Sequence, residues 1–266
     1  MDPFDATPLV TDTDRFSVQR MLWIHRWAPS LFSFRISRAK GYRFTPGQFA
    51  RLGLVKENGA TVWRAYSMVS AVWDEYLEFY SIHVQDGEFT SRLAQLEVGA
   101  PVLIERQAHG FFTTDRFTDG RDLWMLGTGT GLAPYLSILH DPRTWERFER
   151  LVLVHGVRET PELGYRAQIA GLGSHPLWSE HGDKLRYIPV ITREAGRGVL
   201  HDRIPVLLAN GELERAADLA LDPARSRLMI CGSPKMVEDT HRQLMSMGYR
   251  LSRMKVPGQL AVENAW

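Results

Sequence analysis

Gly127-Thr128-Gly129-Thr130-Gly131-Leu132-Ala133-Pro134 follows directly on the apolar run Leu123-Trp124-Met125-Leu126, and this stretch decides the fold. A short buried strand that ends in a glycine loop and restarts as a helix is the opening unit of a doubly wound α/β domain. Glycines let the backbone pass close to a ligand, and Pro134 suits a first helical turn because it has no amide to leave unpaired. The loop is not the G-x-G-x-x-G fingerprint, since Leu132 stands where the third glycine belongs, and it lacks the lysine of a P-loop. A loop of this make in this context suits the phosphates of a dinucleotide.

Downstream, the text continues to alternate strand and helix. Residues 134–140 read as a helix, 151–155 as a second strand, 163–170 as helical, and 185–192 as a third strand. Residues 228–230 lead through Cys231-Gly232 into a helix from about Met236 to Met245. Strands alternating with helices imply a parallel sheet. Upstream, residues 16–104 are short alternating or branched runs split by Pro29-Ser30, Lys40-Gly41, Pro46-Gly47, Asn58-Gly59, Asp86-Gly87 and Gly99. That spacing predicts an antiparallel barrel or sandwich, with one helix at about 91–96. Asn58-Gly59 reads as a type I′ hairpin turn, which needs positive φ at both central residues. The expected organisation is therefore an antiparallel β domain over 1–115 and a doubly wound α/β domain over 116–266, with the ligand site in the cleft between them.

Composition narrows the chemistry. With 44% hydrophobic and 24% charged residues and a mean hydropathy of -0.23, the chain has the balance of a globular protein. Thirty-two Lys and Arg against 31 Asp and Glu leave a formal charge of +1, which argues against nucleic acid as a partner. One cysteine, Cys231, excludes an intramolecular disulfide and any all-thiolate cluster or zinc site. The first fourteen residues carry four Asp and no basic residue, so no export is expected, and no apolar run approaches the roughly 20 residues that cross a bilayer. A cytoplasmic monomer is expected.

Several groups of residues carry candidate chemistry. Arg64-Ala65-Tyr66-Ser67 lies on the strand after the hairpin, where Arg64 and Tyr66 share one face and Ser67 the other. A cation, an aromatic face and a hydroxyl at this spacing suit a phosphate, a planar ring and a ring nitrogen, although the same residues also suit an ordinary half-buried strand. Asp86-Gly87 followed by Glu88-Phe89-Thr90-Ser91 predicts a helix capped by Thr90 or Ser91, its free amides available to an anion. Arg158, at the end of the second strand, stands where an Asp or Glu would favour NAD and where an Arg accepts the 2′-phosphate of NADP. Thr192-Arg193 and Arg203 offer two more guanidinium forks. Cys231 has no base in view and is not read as a nucleophile.

In this order and spacing, the segments from Phe16 to Trp266 resemble bacterial ferredoxin-NADP+ reductases. The resemblance implies an FAD-binding barrel and an NADP(H)-binding domain. It places Arg64 on the flavin pyrophosphate, Tyr66 on the isoalloxazine and Ser67 near N5, with Ala65 in the same motif. Tyr80 and Ile82 resemble a second strand contact to the flavin, Glu88-Phe89-Thr90 the pyrophosphate turn, and Thr130 a residue between flavin and nicotinamide. Gly129, Gly131, Val157, Arg158, Thr192, Arg193 and Arg203 match the NADP side, and Cys231, Gly232 and Met236 match the nicotinamide lining. Glu263 resembles a carboxylate near the nicotinamide. Ala265 stands where some relatives have Tyr, a thin cover for the ring, and Trp266 would stack on adenine. The implied reaction is hydride transfer between NADPH and FAD N5, coupled to one-electron exchange with ferredoxin or flavodoxin. Arg35, Arg38, Lys40, Arg43 and Arg51 form the densest basic stretch and are expected to steer such an acidic partner, although a solvated strand face reads the same way. A reductase of the same fold that feeds an oxygenase, a relative of cytochrome b5 reductase, and a flavin-bearing adaptor are the alternative readings.

Overall fold

The computed structural model describes residues 11–194, 199–253 and 255–265. Six strands come first: β1 Phe16–Ala28, β2 Leu31–Ser37, β3 Phe49–Val55, β4 Thr61–Ser67, β5 Tyr76–Ile82 and β6 Pro101–Glu105, with helix α1 Glu88–Leu93 before the last. They form one sheet in the order β4-β3-β6-β1-β2-β5. Its two edges meet where Met68 bridges Phe79 and Val69 N donates to Glu78 O at 2.8 Å, which closes the antiparallel barrel. Phe32, Phe34, Leu52, Phe79 and Ile104 fill the interior, and Phe89 and Leu93 of α1 plug one end.

The remaining strands are β7 Asp122–Thr128, β8 Arg150–Val157, β9 Leu185–Ile191, β10 Ser226–Gly232 and β11 Leu260–Asn264. Between them run helices α2 Ala133–Leu139, α3 Pro142–Arg147, α4 Arg166–Leu172, α5 Ile204–Ala209, α6 Glu212–Ala217 and α7 Pro234–Ser246. The sheet order is β11-β10-β7-β8-β9, and every pair is parallel. Alternation along each strand feeds two layers, as a strand requires. Leu123, Met125, Leu151 and Leu153 join the core that faces α2, α4 and the barrel, whereas Trp124, Leu126, Val152 and Val154 join the core under α5, α6 and α7. Burial on both faces explains why these strands read as uninterrupted apolar runs.

Four local expectations are corrected. The helix predicted at 91–96 begins at Glu88 with Gly87 as its N-cap, and neither Thr90 nor Ser91 caps it. Thr90 Oγ1 instead bonds the amide and carbonyl of Val84, closing the preceding turn. The hairpin at Asn58-Gly59 exists, but only Gly59 has positive φ (+80°). Gly59 N donates to Lys56 O and Lys56 N to Ala60 O, the pattern of a three-residue loop with one left-handed residue, and Asn58 Oδ1 accepts from Ala60 N at 3.1 Å. Helix α4 starts at Arg166 rather than 163, because Tyr165 is itself left-handed. Residues 260–264, read as part of a C-terminal tail, form the edge strand β11.

Phe79 is fully buried and stacks on Phe34 at 5.3 Å in the barrel interior. Phe79→Ala is expected to cost about 3–5 kcal/mol, the range for removing a buried aromatic side chain, measured by urea unfolding.

Candidate active site

The strand order of the second sheet reverses between β7 and β10, and ligands of doubly wound sheets sit at the carboxyl ends of such a pair. Here those ends are Gly127-Thr128 and Cys231-Gly232. The glycine loop turns through one turn of 3₁₀-helix, Gly129–Leu132, directly into α2. Gly131 passes so close to β10 that a Cβ would lie 2.4 Å from the Cys231 carbonyl oxygen, so only glycine fits there. Thr128 Oγ1 accepts from Ser233 N at 3.2 Å and ties the two strand ends together. His155 is fully buried on β8, and its Nε2 lies 3.2 Å from the Gly129 carbonyl; burial depresses its pKa to about 4, so the neutral imidazole donates. Met236 lines the same end from the first turn of α7.

The barrel meets this cleft at the seam between β4 and β5. Ser67 Oγ donates to Glu263 Oε1 at 3.3 Å, a hydrogen bond from the barrel to β11. Glu263 is placed by register: it pairs with Cys231, and Ala265 N donates to Gly232 O at 2.9 Å. Burial pushes the Glu263 carboxyl up to about 7, and the Ser67 hydrogen bond only partly opposes this. Cys231 is fully buried and its thiol pKa is raised by that burial, so it is a neutral wall of the cleft and not a nucleophile. Tyr66 is half-buried against Phe34, Phe79 and Phe89, and its hydroxyl lies 3.0 Å from Ser81 Oγ across the seam. Ser81 and His155 are polar partners that the motif reading did not single out. Their signal lies in which strands become neighbours, and chain order does not carry it.

Arg64 and Ala65 are exposed, and among the described residues the Arg64 guanidinium donates only to Trp63 O. The amides of Glu88, Phe89 and Thr90 occupy the first turn of α1, where no helical carbonyl can pair with them. The Phe89 side chain is core and the Glu88 carboxylate pairs with Lys56 at 2.7 Å, so this turn offers backbone rather than side chains. Tyr80 is buried at the barrel–lobe contact with Ile82 beside it; its ring is therefore turned away from the seam, and only its main chain is available to a ligand. An unpaired guanidinium, free amides and a half-buried carboxyl with one partner fit a group with a pyrophosphate and a polar planar ring.

Beyond the carboxyl ends of β8 and β9, Thr192 N donates to Val157 O and Arg193 N to Arg158 O, which sets Arg158 and Arg193 side by side. Arg203 precedes α5, whose Ile204 packs near Gly156. All three arginines are exposed, and none meets a carboxylate among the described residues. By contrast, the basic stretch of the barrel is not a free face. Arg35 pairs with Glu78 at 2.8 Å, Arg38 donates to the carbonyls of Tyr42, Val72 and Asp74, and Arg51 bridges Glu105 at 3.3 Å. Neighbours in sequence point to different sides of β2 and β3, leaving Lys40 and Arg43 exposed. Trp266 lies outside the described residues.

Residues 125–242 match the model of the oxidoreductase NAD-binding domain. The chain is 42% identical to ferredoxin-NADP reductase A of Sorangium cellulosum over 94% of its length and 90% of the relative's. It is 38% identical to the flavodoxin/ferredoxin-NADP reductase of Escherichia coli K12, covering 91% and 96%. The chain belongs to the ferredoxin-NADP reductase family. A crystal structure of a ferredoxin NADP+ reductase from Neisseria gonorrhoeae with bound FAD and NADP superposes with a TM-score of 0.89 at 40% identity, covering 95% of this chain and 99% of that one. The cytochrome b5 reductase domain of Ulva prolifera nitrate reductase shares the fold at 17% identity and a TM-score of 0.73.

The raised Glu263 pKa has a definite sign. Folding favours the protonated carboxyl, so this contribution to stability is complete below about pH 4.5 and is lost as pH rises through about 7. Glu263→Gln, neutral throughout, is expected to flatten that slope, gaining roughly 3 kcal/mol relative to wild type above pH 7. Paired melting curves between pH 5 and 8 measure it.

Proposed function

We propose that the chain is an FAD-dependent NADPH reductase whose barrel, over about 1–115, holds the flavin and whose α/β domain, over about 116–266, holds NADP(H). The single observation that carries the site assignment is the Ser67–Glu263 hydrogen bond. It joins the Arg64-Ala65-Tyr66-Ser67 strand to the strand end beside the glycine loop, so both candidate half-sites open onto one point.

When bound, the flavin accepts a hydride at N5 and returns electrons one at a time, which couples NADPH to a one-electron carrier. The residues orient and insulate this exchange. Arg64 and the amides of residues 88–90 would hold the pyrophosphate, Tyr66 would pack on the ring, and Ser67 would hydrogen-bond near N5. Thr130 and the glycine loop would seat the nicotinamide, and Arg158, Arg193 and Arg203 would take the 2′-phosphate. Glu263, with a pKa close to neutrality, is able to take or release a proton through Ser67 without large cost. The small Ala265 would leave the nicotinamide position thinly covered. Ferredoxin or flavodoxin, which the relatives' names specify for them, is the proposed electron partner, in the cytoplasm. Among the described residues no helix is long and apolar enough to cross a membrane.

Anaerobic NADPH is expected to bleach the flavin absorbance of the purified protein, and NADH to do so far less effectively at equal concentration. No bleaching with NADPH would refute the enzyme reading. Arg158→Ala is expected to raise KM for NADPH about tenfold or more, the worth of one charged hydrogen bond, and to leave KM for NADH unchanged. Equal effects on both coenzymes would remove the 2′-phosphate assignment.

A further inference from the structure

One of the segments through which the α/β lobe touches the barrel is built against ordinary backbone preference. Tyr165 has φ +63°, in the left-handed region that a bulky residue seldom occupies, and it opens α4 without a side-chain cap. Gly164 before it has no room for a side chain: a Cβ would lie 2.4 Å from the Tyr80 hydroxyl and 3.3 Å from the Trp27 ring. The chain is thereby pressed flush to the barrel wall. What this conformation delivers is the Tyr165 phenol, buried among barrel side chains, its ring edge-on to Tyr80 at 5.1 Å and 4.8 Å from Trp27.

The phenol oxygen lies 2.6 Å from Glu78 Oε1 and 2.5 Å from Ser33 Oγ. Its proton goes to the carboxylate, so Ser33 donates to the phenol oxygen and itself accepts from Trp27 Nε1 at 2.8 Å. The donors run in one direction and end on Glu78, whose other oxygen accepts from Arg35 Nε at 2.8 Å. Arg35 is clamped in turn over Trp23 at 4.7 Å and Tyr76 at 4.2 Å. An apolar contact would bury the same surface but permit sliding; a satisfied buried network has one geometry.

Glu78 also leads to the reacting end of the cleft. Its amide donates to Ser70 Oγ at 2.5 Å, its carbonyl accepts from Val69 N at 2.8 Å, and Ser70 O accepts from Ser137 Oγ of α2 at 2.8 Å. Val69 and Ser70 are thus tied to the carboxylate's own strand, two and three residues from Ser67, whose hydroxyl meets Glu263. We propose that Tyr165 is a positioning residue: its bonds to Glu78 and Ser33 fix the angle at which the α/β lobe seats on the barrel, and so the approach of Glu263 and Thr130 to Ser67.

Tyr165→Phe keeps the ring and removes both bonds. The kinetic arm rests on the reductase reading; hydrogen exchange does not. In the flavin-loaded protein, kcat for NADPH-driven ferricyanide reduction is expected to fall about tenfold or more, since small misalignments carry rate penalties of that order. The dissociation constant of 2′,5′-ADP, which engages the α/β lobe alone, is expected to change by less than about twofold, because lobe and arginines move together. Amide exchange in residues 67–70 and 260–265 is expected to quicken. Ser33→Ala, which removes one of the two bonds, serves if the first variant does not fold and is expected to give a smaller loss of the same kind. A lowered melting temperature with unchanged kcat and unchanged exchange at 67–70 would overturn the proposal, as would a loss of 2′,5′-ADP affinity equal to the loss in kcat. A wild-type protein that does not oxidise NADPH would refute the reductase reading, and the exchange comparison would still decide the role of Tyr165.

Discussion

The two halves of the molecule share a wall. Strand β5 is buried on both faces: Leu77 and Phe79 point into the barrel, while Glu78 and Tyr80 point into the contact with the α/β lobe. A barrel strand normally presents its outer face to water, so this one has surrendered that option. Leu31, Val69 and Tyr80 consequently belong to the same apolar core as Leu123, Met125 and α2, which makes one continuous interior out of two architectures. Relative movement of the halves would expose that surface and break the polar network ending on Glu78. The seam between β4 and β5 lies at the border of this wall, so the position of the site follows from how the wall is built.

The C-terminal strand serves the same end from the opposite side. Residues 260–264 pair in register with β10, and this single register decides that Glu263, and not a neighbour, faces Ser67. A slip of one residue would turn Glu263 to the other side of the sheet, because side chains alternate along a strand. The carboxyl is then held where water is scarce and carries a pKa close to neutrality, while the Ser67 hydroxyl limits how far it rises. Position and acidity therefore have one cause, the docking of an edge strand against a fully buried neighbour.

Much of this was legible in the sequence because local chemistry dictated it. The loop from Gly127 to Pro134 announced the switch from strand to helix, and runs such as Leu151-Val152-Leu153-Val154 announced a sheet covered on both sides. Turn spacing pointed to an antiparallel barrel or sandwich, and the family resemblance to the barrel. What escaped was whatever depends on pairing across long distances. Residues 260–264 are too short to declare themselves a strand without β10 beside them. Thr90 looked like a helix cap but found Val84 a nearer partner, and the arginines of the basic stretch found carboxylates and carbonyls that lie up to 54 residues away, as Arg51 and Glu105 do. Tyr165 gave no signal, since nothing local favours a left-handed tyrosine, and its partners Ser33 and Glu78 lie 132 and 87 residues away in the chain.

The resulting arrangement separates two properties that a single-core site would bind together. The groups suited to recognising a phosphorylated coenzyme, Arg158, Arg193 and Arg203, are exposed and belong to one lobe. In the proposed site their contribution to affinity would be electrostatic, screened by salt and insensitive to small changes in how the lobes meet. The groups suited to aligning a transfer, Ser67, Glu263 and Thr130, come from both lobes and depend on angles and on tenths of an ångström. On this proposal, substitutions at the surface would retune coenzyme choice without disturbing the seam, whereas a change at the barrel–lobe wall would reach the seam without touching the coenzyme's phosphate. A fold that keeps recognition on an exposed rim and geometry in a shared buried wall can vary one while holding the other fixed.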